Sequence, residues 1–248
     1  MKNKVVYVPM ACDILHSAHV NILKKAKKYG KVIVGLLTDK AISEYKKLPL
    51  INYDERFKIL SGIKFVDQVV EQATMDCSNN IKKIKPDFFI HGDDWRVGIQ
   101  KNQRRKAIQA LKVNNGKLIE VAFNKDISSA EIKNKMLKLD ISSENRVSRL
   151  KRLMNVKDIV KILESHNSLT GLIIENLKVT KTNSFTEFDG MWSSSLTDSA
   201  TKGKPDNSSV DFSTRLISLN DMMEVTTKLL VFDADNGGQL EHLRFLVR

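Results

Sequence analysis

The chain has 248 residues, a formal net charge of +12 and a hydrophobic fraction of 42%, which supplies enough apolar material for a core and excludes wholesale disorder. The lysines are spread along predicted helices without an aromatic platform, so we predict small anionic ligands rather than a nucleic-acid partner. Neither a long apolar run nor a signal peptide's apolar centre is present. We therefore expect no membrane association, a cytoplasmic location and two free thiols, Cys12 and Cys77.

The first half of the chain alternates short apolar runs with helical patterns. The apolar runs predict strands at 4–9, 32–37, 66–70, 87–91 and 117–123. The helical patterns predict helices at 19–29, 54–63, 78–84, 103–113 and 128–139. This alternation predicts an open α/β domain over residues 1–140, with about five parallel strands.

A second α/β pattern follows a polar and basic stretch at 141–155, which is predicted to be a linker helix. In the second domain, residues 156–248, helices are predicted at 156–165 and 216–226, and strands at 170–175, 188–193 and 229–232. A serine-rich stretch at 193–209 separates two of these elements. We interpret it as an active-site loop rather than a linker, because loops on a rigid scaffold often carry function.

Two histidines, His16 and His19, lie three residues apart where the first strand has ended and a helix begins. The N–H groups at a helix N-terminus point outward, and the helix dipole there favours an anion. Two imidazoles at that end could stabilise a phosphate whose charge rises in a transition state. On these residues alone, a pair of surface histidines at a helix start is the simpler alternative.

The blocks around this pair resemble the nucleotidyltransferases that carry His-x-Gly-His, most closely the cytidylyltransferases that act on glycerol phosphate and phosphocholine. Beside the histidine segment, three further blocks occur in the family's order: Lys46-Lys47 followed by residues 53–56, Gly92-Asp93-Asp94-Trp95, and Ile127-Ser128-Ser129. The resemblance implies a Rossmann-like nucleotidyltransferase domain. It also implies CTP as co-substrate, with Mg²⁺ on the triphosphate.

The same resemblance implies a role for each matching residue. His16 and His19 would stabilise the α-phosphate, and Lys47 would neutralise phosphate charge as a third catalytic residue. The implied nucleotide-binding residues are Met10, Asp13, Gly92, Asp93, Asp94, Trp95, Ser128 and Ser129. Catalysis would depend on positioning and electrostatics, without a covalent intermediate.

Three positions depart from the family's pattern. Ala18 replaces the glycine between the two histidines, Asp126 replaces a glycine before Ile-Ser, and Ala130 replaces a hydroxyl residue. A carboxylate near a triphosphate repels it at short range. Either the pocket has adapted to these changes, or the domain binds a nucleotide without turnover.

The second half of the chain resembles phosphoenolpyruvate mutase of the isocitrate lyase superfamily. The stretches that carry the resemblance are 165–170, 188–197, 202–206 and 232–238. An Asp-x-Asp pair such as Asp233 and Asp235 is common in β/α turns and would mean little without the other stretches. Together they imply binding of phosphoenolpyruvate.

Mutase chemistry assigns these residues distinct roles. Trp192, Ser194 and Ser195 would bind the substrate, with the two serines donating to its carboxylate. Asp206 matches the nucleophilic aspartate. Asp233 and Asp235 leave a strand end two residues apart and match the carboxylates that hold Mg²⁺.

The superfamily's fold is a (β/α)8 barrel, which needs about 250 residues, and residues 156–248 match only its first part. We expect a truncated barrel with an exposed strand edge, which favours a homo-oligomer or completion by another chain. We also expect the mutase reaction to be inactive in this chain.

The sequence therefore predicts an enzyme of phosphonate biosynthesis. A phosphoenolpyruvate mutase would be fused to a cytidylyltransferase that activates a phosphonate or phosphate alcohol with CTP. One alternative is a non-catalytic nucleotide-binding or subunit-interaction fragment. Another is that only the first domain is active, on a sugar or glycerol phosphate.

Overall fold

The structure, a computed structural model, describes residues 4–45, 48–96, 98–122, 132, 148–181 and 184–237. The chain divides into two compact units, and each is considered by itself. The first comprises Met1–Met136 with Lys181–Ser184, and the second Leu137–Thr180 with Phe185–Arg248. The predicted boundaries at 140 and 155 stay predictions, since residues 133–147 are outside the described part.

The first unit contains a five-stranded parallel sheet in the order β3-β2-β1-β4-β5. Its strands are β1 (Val5–Met10), β2 (Lys31–Leu37), β3 (Gln68–Gln72), β4 (Phe88–Gly92) and β5 (Lys117–Val121). The two central hydrophobic strands, β1 and β2, are buried along almost their whole length. Continuous apolar runs of this kind are typical of parallel strands covered on both faces.

Helices connect the strands of the first unit, as the sequence predicted. They are α1 (Ser17–Lys27), α2 (Asp39–Ser43), α3 (Tyr53–Ser61), α4 (Ser78–Ile84) and α5 (Lys101–Val113), with short 3-10 turns at Asp93–Arg96 and Gly98–Gln100. The short α2 was not predicted. The helix predicted at 128–139 falls outside the described residues, except for Ile132.

The sheet separates two apolar clusters. Val8 and Leu23 belong to the cluster on one face, while Tyr7 and Phe89 belong to the cluster on the other. The residues of both clusters are buried, and alternate residues of β1 contribute to each cluster. The α/β fold class predicted from the alternation of elements is confirmed for this unit.

The strand order reverses at the boundary between the neighbouring strands β1 and β4. The strands β1, β2 and β3 follow one another to one side, after which β4 returns to pair with the other edge of β1. The register pairs Val6 with Phe88 and Tyr7 with Phe89, and its continuation brings Met10 level with Gly92. In open α/β sheets, ligands bind beyond the carboxyl ends of the strands at such a switch point.

The second unit contains the first β/α repeats of a barrel. Its principal sheet is parallel and places β6 (Ile162–Glu164), β9 (Gly190–Ser193) and β10 (Leu229–Phe232) in chain order. Helices α7 (Ser168–Asn176), α8 (Ser195–Thr201) and α9 (Phe212–Glu224) lie between these strands, and α6 (Arg149–Val156) precedes them. A separate two-stranded sheet pairs β7 (Lys178–Lys181) with β8 (Ser184–Glu187). Three of the eight strands of a (β/α)8 barrel are thus present in the described part of this unit.

Two predicted elements of the second unit are wrong. The predicted strand at 170–175 is the helix α7, and the predicted helix at 156–165 gives way to the strand β6. The Asn167 side chain caps α7 by accepting from the Thr170 N–H, and an Asn at this position favours a helix start. A short apolar run does not by itself distinguish a strand from a buried helix, which explains the error.

Within the described residues, no helix is both long enough and apolar enough to cross a membrane.

The contact between Gly35 and Tyr7 gives a test of the packing of the first unit. A Cβ at Gly35 would lie 1.8 Å from the Tyr7 hydroxyl oxygen, so Gly35→Ala must displace a fully buried ring. We expect this change to lower the free energy of unfolding by about 1–3 kcal/mol, as overpacking does, measured by urea denaturation. The control is Gly62→Ala, where the nearest atom would be 3.5 Å away, and equal losses in the two variants would contradict the packing described.

Candidate functional site

The loop after β1 turns sharply before α1 begins. Cys12 adopts a φ of 50°, in the left-handed region that a side chain rarely occupies. The Cys12 thiol is buried, and burial raises its pKa to about 12. It therefore stays a neutral thiol at physiological pH, and its contribution is to the shape of the loop.

The two predicted catalytic histidines lie together at the start of α1. His16 occupies the N-cap position, and its backbone N–H donates to Nδ1 of His19 at 3.3 Å. The ring centroids are 4.0 Å apart. Because Nδ1 of His19 accepts, a neutral His19 ring carries its proton on Nε2, where it can be donated.

The surroundings of His16 favour the neutral form of its imidazole. Burial lowers the pKa of its imidazole, so the neutral form prevails near pH 7. Its buried Nδ1 atom has no hydrogen-bond partner among the described residues. A buried nitrogen without a hydrogen-bond partner carries an energetic cost.

Ala18, which replaces the expected glycine, is accommodated by the helix. It lies within the first turn of α1 and is buried. Its position is helical and does not require the positive φ that favours glycine. The departure therefore imposes no backbone strain on the histidine pair.

Asp13 fastens the loop that precedes α3. Its Oδ1 accepts from the N–H groups of Leu50 and Ile51, at 2.7 and 3.2 Å. These residues follow closely after Lys47, which lies outside the described residues. Asp13 thus holds two loops of the candidate site together, and its role as a nucleotide ligand stays a prediction.

Arg56 joins the segments around this site. Its guanidinium is buried and donates to three backbone carbonyls, those of Ala11 (2.5 Å), Leu37 (2.9 Å) and Ile51 (3.1 Å). It also pairs with the Asp39 carboxylate at 2.5 Å. One side chain therefore connects the loop after β1, the end of β2, the start of α2 and the loop before α3. The sequence placed Arg56 in a family block but gave it no role.

The turn after β4 is built around Trp95. This ring is 2% exposed and stacks on Phe89 and His91, with centroid distances of 5.6 and 4.0 Å. Its Nε1–H donates to Glu120 at 2.8 Å. Trp95 thus stabilises the turn after β4 by packing, and its ring faces are covered by other side chains rather than open to a ligand.

Glu120, on β5, was missed by the sequence analysis. Its carboxylate accepts from Arg104 (2.9 Å) and Arg96 (2.7 Å) as well as from Trp95. The hydrogen bonds from Arg104 and Arg96 lower the pKa of Glu120 far below its usual range. The one acidic residue in an otherwise largely apolar strand could have drawn attention to Glu120. Its hydrogen-bond partners could not be predicted, because they are distant in sequence.

Asp93 and Asp94 complete the turn. Asp94 is exposed, and its Oδ1 lies 3.8 Å from Nδ1 of His91, while Asp93 is partly buried. Both follow Gly92, the residue that the sheet register brings level with Met10. The structure thus places the predicted residues of the β1 and β4 loops at one switch point, whereas Ser128 and Ser129, with Asp126 and Ala130, lie outside the described residues.

In the second unit, the predicted residues gather at the carboxyl ends of β9 and β10. Ser194 is the buried N-cap residue of α8. The next residue, Ser195, donates from Oγ and N–H to Oδ2 of Asp233, at 3.0 and 3.4 Å. The N–H of Asp235 donates to the other oxygen, Oδ1, at 3.0 Å. These bonds, that from Asp235 first, lower the pKa of Asp233.

The loop that carries Asp206 reaches the same strand end. Ser208 donates from its N–H and Oγ to Oδ2 of Asp235, at 3.0 and 3.1 Å. Asp206 itself is exposed. Trp192, on β9, is 43% exposed while the adjacent Met191 is fully buried, as expected for successive residues of a strand.

The donor chemistry at this end suits a hard divalent cation. Asp233 and Asp235 supply two carboxylates, and the Oδ1 atom of each retains at least one lone pair after the bonds described. No cluster of three or more histidine, cysteine or acidic side chains able to hold a metal ion is found in the described part of the chain. Two carboxylates with water or substrate completing the shell are what Mg²⁺ commonly uses, so the residues fit that ion.

The role of Arg56 can be tested by its removal. Arg56→Met leaves the Asp39 carboxylate and three carbonyls without their buried partner, and should lower the free energy of unfolding by about 3–5 kcal/mol. Urea denaturation followed by circular dichroism measures this. Lys58→Met, the matched control, removes an exposed pair with Glu55 on the same helix and should leave the midpoint unchanged. Equal midpoints for the two variants would show that Arg56 does not hold these segments together.

Comparisons with known proteins agree with this division of the chain. A family model described as "Cytidylyltransferase-like" matches residues 12–135, and one described as "Phosphoenolpyruvate phosphomutase" matches residues 150–248. The first covers half of the chain.

Individual curated relatives match part of the chain. An ethanolamine-phosphate cytidylyltransferase of Dictyostelium discoideum is 30% identical over 53% of this chain and 36% of its own length. A bifunctional protein HldE of Campylobacter concisus is 39% identical over 38% of this chain and 21% of its own length. The chain thus spans about a third or less of these curated relatives.

Among solved structures, a lipopolysaccharide core biosynthesis protein from Thermoplasma volcanium is 22% identical, with a TM-score of 0.43 over 50% of this chain and 99% of its own. The family models match both units, in the order expected from the sequence. The chain therefore belongs to the cytidylyltransferase-like family, and its second unit is a partial domain of the phosphoenolpyruvate mutase family.

Proposed function

We propose that the first unit transfers a cytidylyl group from CTP to a phosphonate or phosphate acceptor, and that the chain serves phosphonate biosynthesis. The observation that carries the proposal is the His16–His19 pair at the N-terminus of α1. It stands at the switch point of the sheet, where nucleotides bind in folds of this type. The families matched by both units consist of enzymes of the transferase and mutase kind.

The proposed reaction is a single displacement at phosphorus. An acceptor oxygen attacks the α-phosphorus of CTP, the bond to the bridging oxygen breaks, and pyrophosphate leaves with that electron pair. The ring Nε2–H of His19 and the outward backbone N–H groups at the start of α1 would stabilise the negative charge that builds on the α-phosphate. Bound Mg²⁺ would supply charge neutralisation on the triphosphate.

The remaining residues of the site would keep this geometry fixed. Asp13 and Arg56 hold the loops after β1 and before α3 in register. Glu120 and Trp95 hold the turn after β4, which would face the base and the acceptor. Preorganisation of this kind reduces the reorganisation needed during reaction.

For the second unit we propose a site of the phosphoenolpyruvate/phosphonopyruvate mutase type. Ser194 and Ser195 would bind the substrate carboxylate at the start of α8, and Asp206 would receive the phosphoryl group in transit between oxygen and carbon. Asp233 and Asp235 would hold Mg²⁺, which would supply charge neutralisation on the substrate. The support is that Ser195 donates to Asp233, and that Ser208, two residues after Asp206, donates to Asp235.

We further propose that this unit associates with another chain, either a second copy or a different one. In its three-stranded sheet, β6 and β10 are the edge strands among the described residues. Open edges of a sheet offer unpaired backbone groups to an incoming strand.

A second candidate function is nucleotide binding without catalysis. The observation that favours it is the burial of Ala18 at the start of α1, where the family pattern has a smaller residue. Tight binding of CTP without pyrophosphate release would support it. Turnover restricted to sugar or glycerol phosphates in an acceptor panel would instead indicate the third possibility, a phosphate cytidylyltransferase unrelated to phosphonates.

Phosphorus NMR tests the proposed function directly. The full chain is incubated with Mg²⁺, CTP, 2-aminoethylphosphonate and phosphonopyruvate in one tube, since the two reactions give separate signals. Pyrophosphate with a CMP-phosphonate is the expected result for the first unit. A folded protein that releases no pyrophosphate with any acceptor would overturn the proposal for that unit. Phosphoenolpyruvate formed from phosphonopyruvate would overturn the expectation that the mutase reaction is inactive in this chain.

A variant of His19 tests its place in the mechanism. His19→Asn keeps an acceptor for the His16 N–H but removes the donor at Nε2, so the fold should persist while the rate of pyrophosphate release falls about 100- to 1000-fold. Asp206→Ala, in the second unit, is the control and should leave this rate unchanged. A loss below about threefold in His19→Asn, far less than one transition-state donor contributes, would remove His19 from the reaction.

A further inference from the structure

A buried guanidinium lies behind the proposed metal carboxylates. Arg215, on α9, is 6% exposed, and its Nη2 donates to the backbone carbonyl of Asp233 at 2.5 Å. The guanidinium also lies over the ring of Phe232, 4.7 Å from its centroid. Arg215 therefore fixes the main chain at the point where β10 ends and the carboxylate pair begins.

A buried carboxylate forms an ion pair with this guanidinium. Asp198, on α8, is 4% exposed, and its Oδ2 lies 3.5 Å from Nε of Arg215. Its other oxygen, Oδ1, pairs with Lys202, the C-cap residue of the same helix. Asp198 and Arg215 are both buried, and their opposite charges compensate each other.

The same helix also holds the Asp233 side chain. Ser195, in the first turn of α8, donates to Oδ2 of Asp233, and Asp198 lies one turn further along that helix. Asp233 is consequently held at its carboxylate by α8 and at its carbonyl by α9, while the Asp198–Arg215 pair joins the two helices. A rotation of the Asp233 residue would therefore break the hydrogen bonds from both Ser195 and Arg215.

We infer that Arg215, braced by Asp198, is a positioning residue that fixes the Asp233 carboxylate for a divalent cation. This inference rests on the proposed metal role of Asp233 and Asp235. Arg215 acts through Asp233, because its Nη2 donates to the backbone carbonyl of that residue and its Nε pairs with Asp198. Arginine suits this position better than lysine, since its planar fork can address two acceptors in different directions at once.

The test measures Mn²⁺ binding to the full chain by electron paramagnetic resonance, without nucleotide. Arg215→Lys keeps the positive charge but cannot hold both acceptors, so we expect the Kd for Mn²⁺ to rise at least about tenfold, the usual effect of losing a residue that orients a metal ligand. Asp198→Asn, which keeps the shape of the brace, should raise the Kd in the same direction and serves if Arg215→Lys fails to fold.

The variant Met222→Ala distinguishes a metal-positioning role of Arg215 from a purely structural one. Met222 is a buried residue of α9, and its sulfur accepts a hydrogen bond from the Ser165 hydroxyl. This change should lower the thermal midpoint while leaving the Kd for Mn²⁺ unchanged. If Met222→Ala and Arg215→Lys weaken Mn²⁺ binding equally at equal loss of stability, the positioning role is refuted.

Asp233→Asn distinguishes failure of the inference from failure of the proposed function. If the unaltered chain binds Mn²⁺ and Asp233→Asn abolishes part of that binding, the proposed metal role of Asp233 is supported. Unchanged binding in Arg215→Lys and Asp198→Asn then overturns the inference alone. If the unaltered chain binds no Mn²⁺ that depends on Asp233, the metal role and the inference both fall.

Discussion

The buried guanidinium of Arg56 is the interaction on which the geometry of the first unit depends. A parallel sheet leaves its connecting loops to meet at one edge, and nothing in the sheet itself fixes how those loops lie. Arg56 fixes them through three carbonyls and Asp39. Burial of a charge without partners would be prohibitive, so these segments must meet for the unit to fold, and the candidate site forms with the fold.

The second unit solves the same problem in a similar way. Arg215 binds a carbonyl at the end of β10 and pairs with Asp198 from a neighbouring helix, much as Arg56 binds carbonyls and pairs with Asp39. In both units the polar groups near the proposed chemistry are held by a second layer of buried ionic contacts. Such layers determine ligand orientation in metal and phosphate sites.

The sequence predicted the parts of this protein that are encoded locally. The apolar runs of β1 and β2 are sufficient to predict these strands. The His16–His19 pair was also predictable, because the two histidines are only three residues apart at the start of a helix. The apolar run of α7 was misassigned, because a strand and a buried helix share that composition. The contacts of Arg56, Glu120 and Arg215 could not be predicted, since their partners are brought near only by the fold; Arg56 and Ala11 are 45 residues apart.

The two tryptophans of the chain have opposite surroundings, one in each unit. Trp95 is enclosed between aromatic rings, whereas Trp192 is partly open to solvent. An enclosed indole emits at shorter wavelength than a hydrated one, so the blue and red sides of the emission spectrum report on different units. The chain thus carries two intrinsic optical probes, with which the melting of each unit can be followed separately in the unlabelled protein.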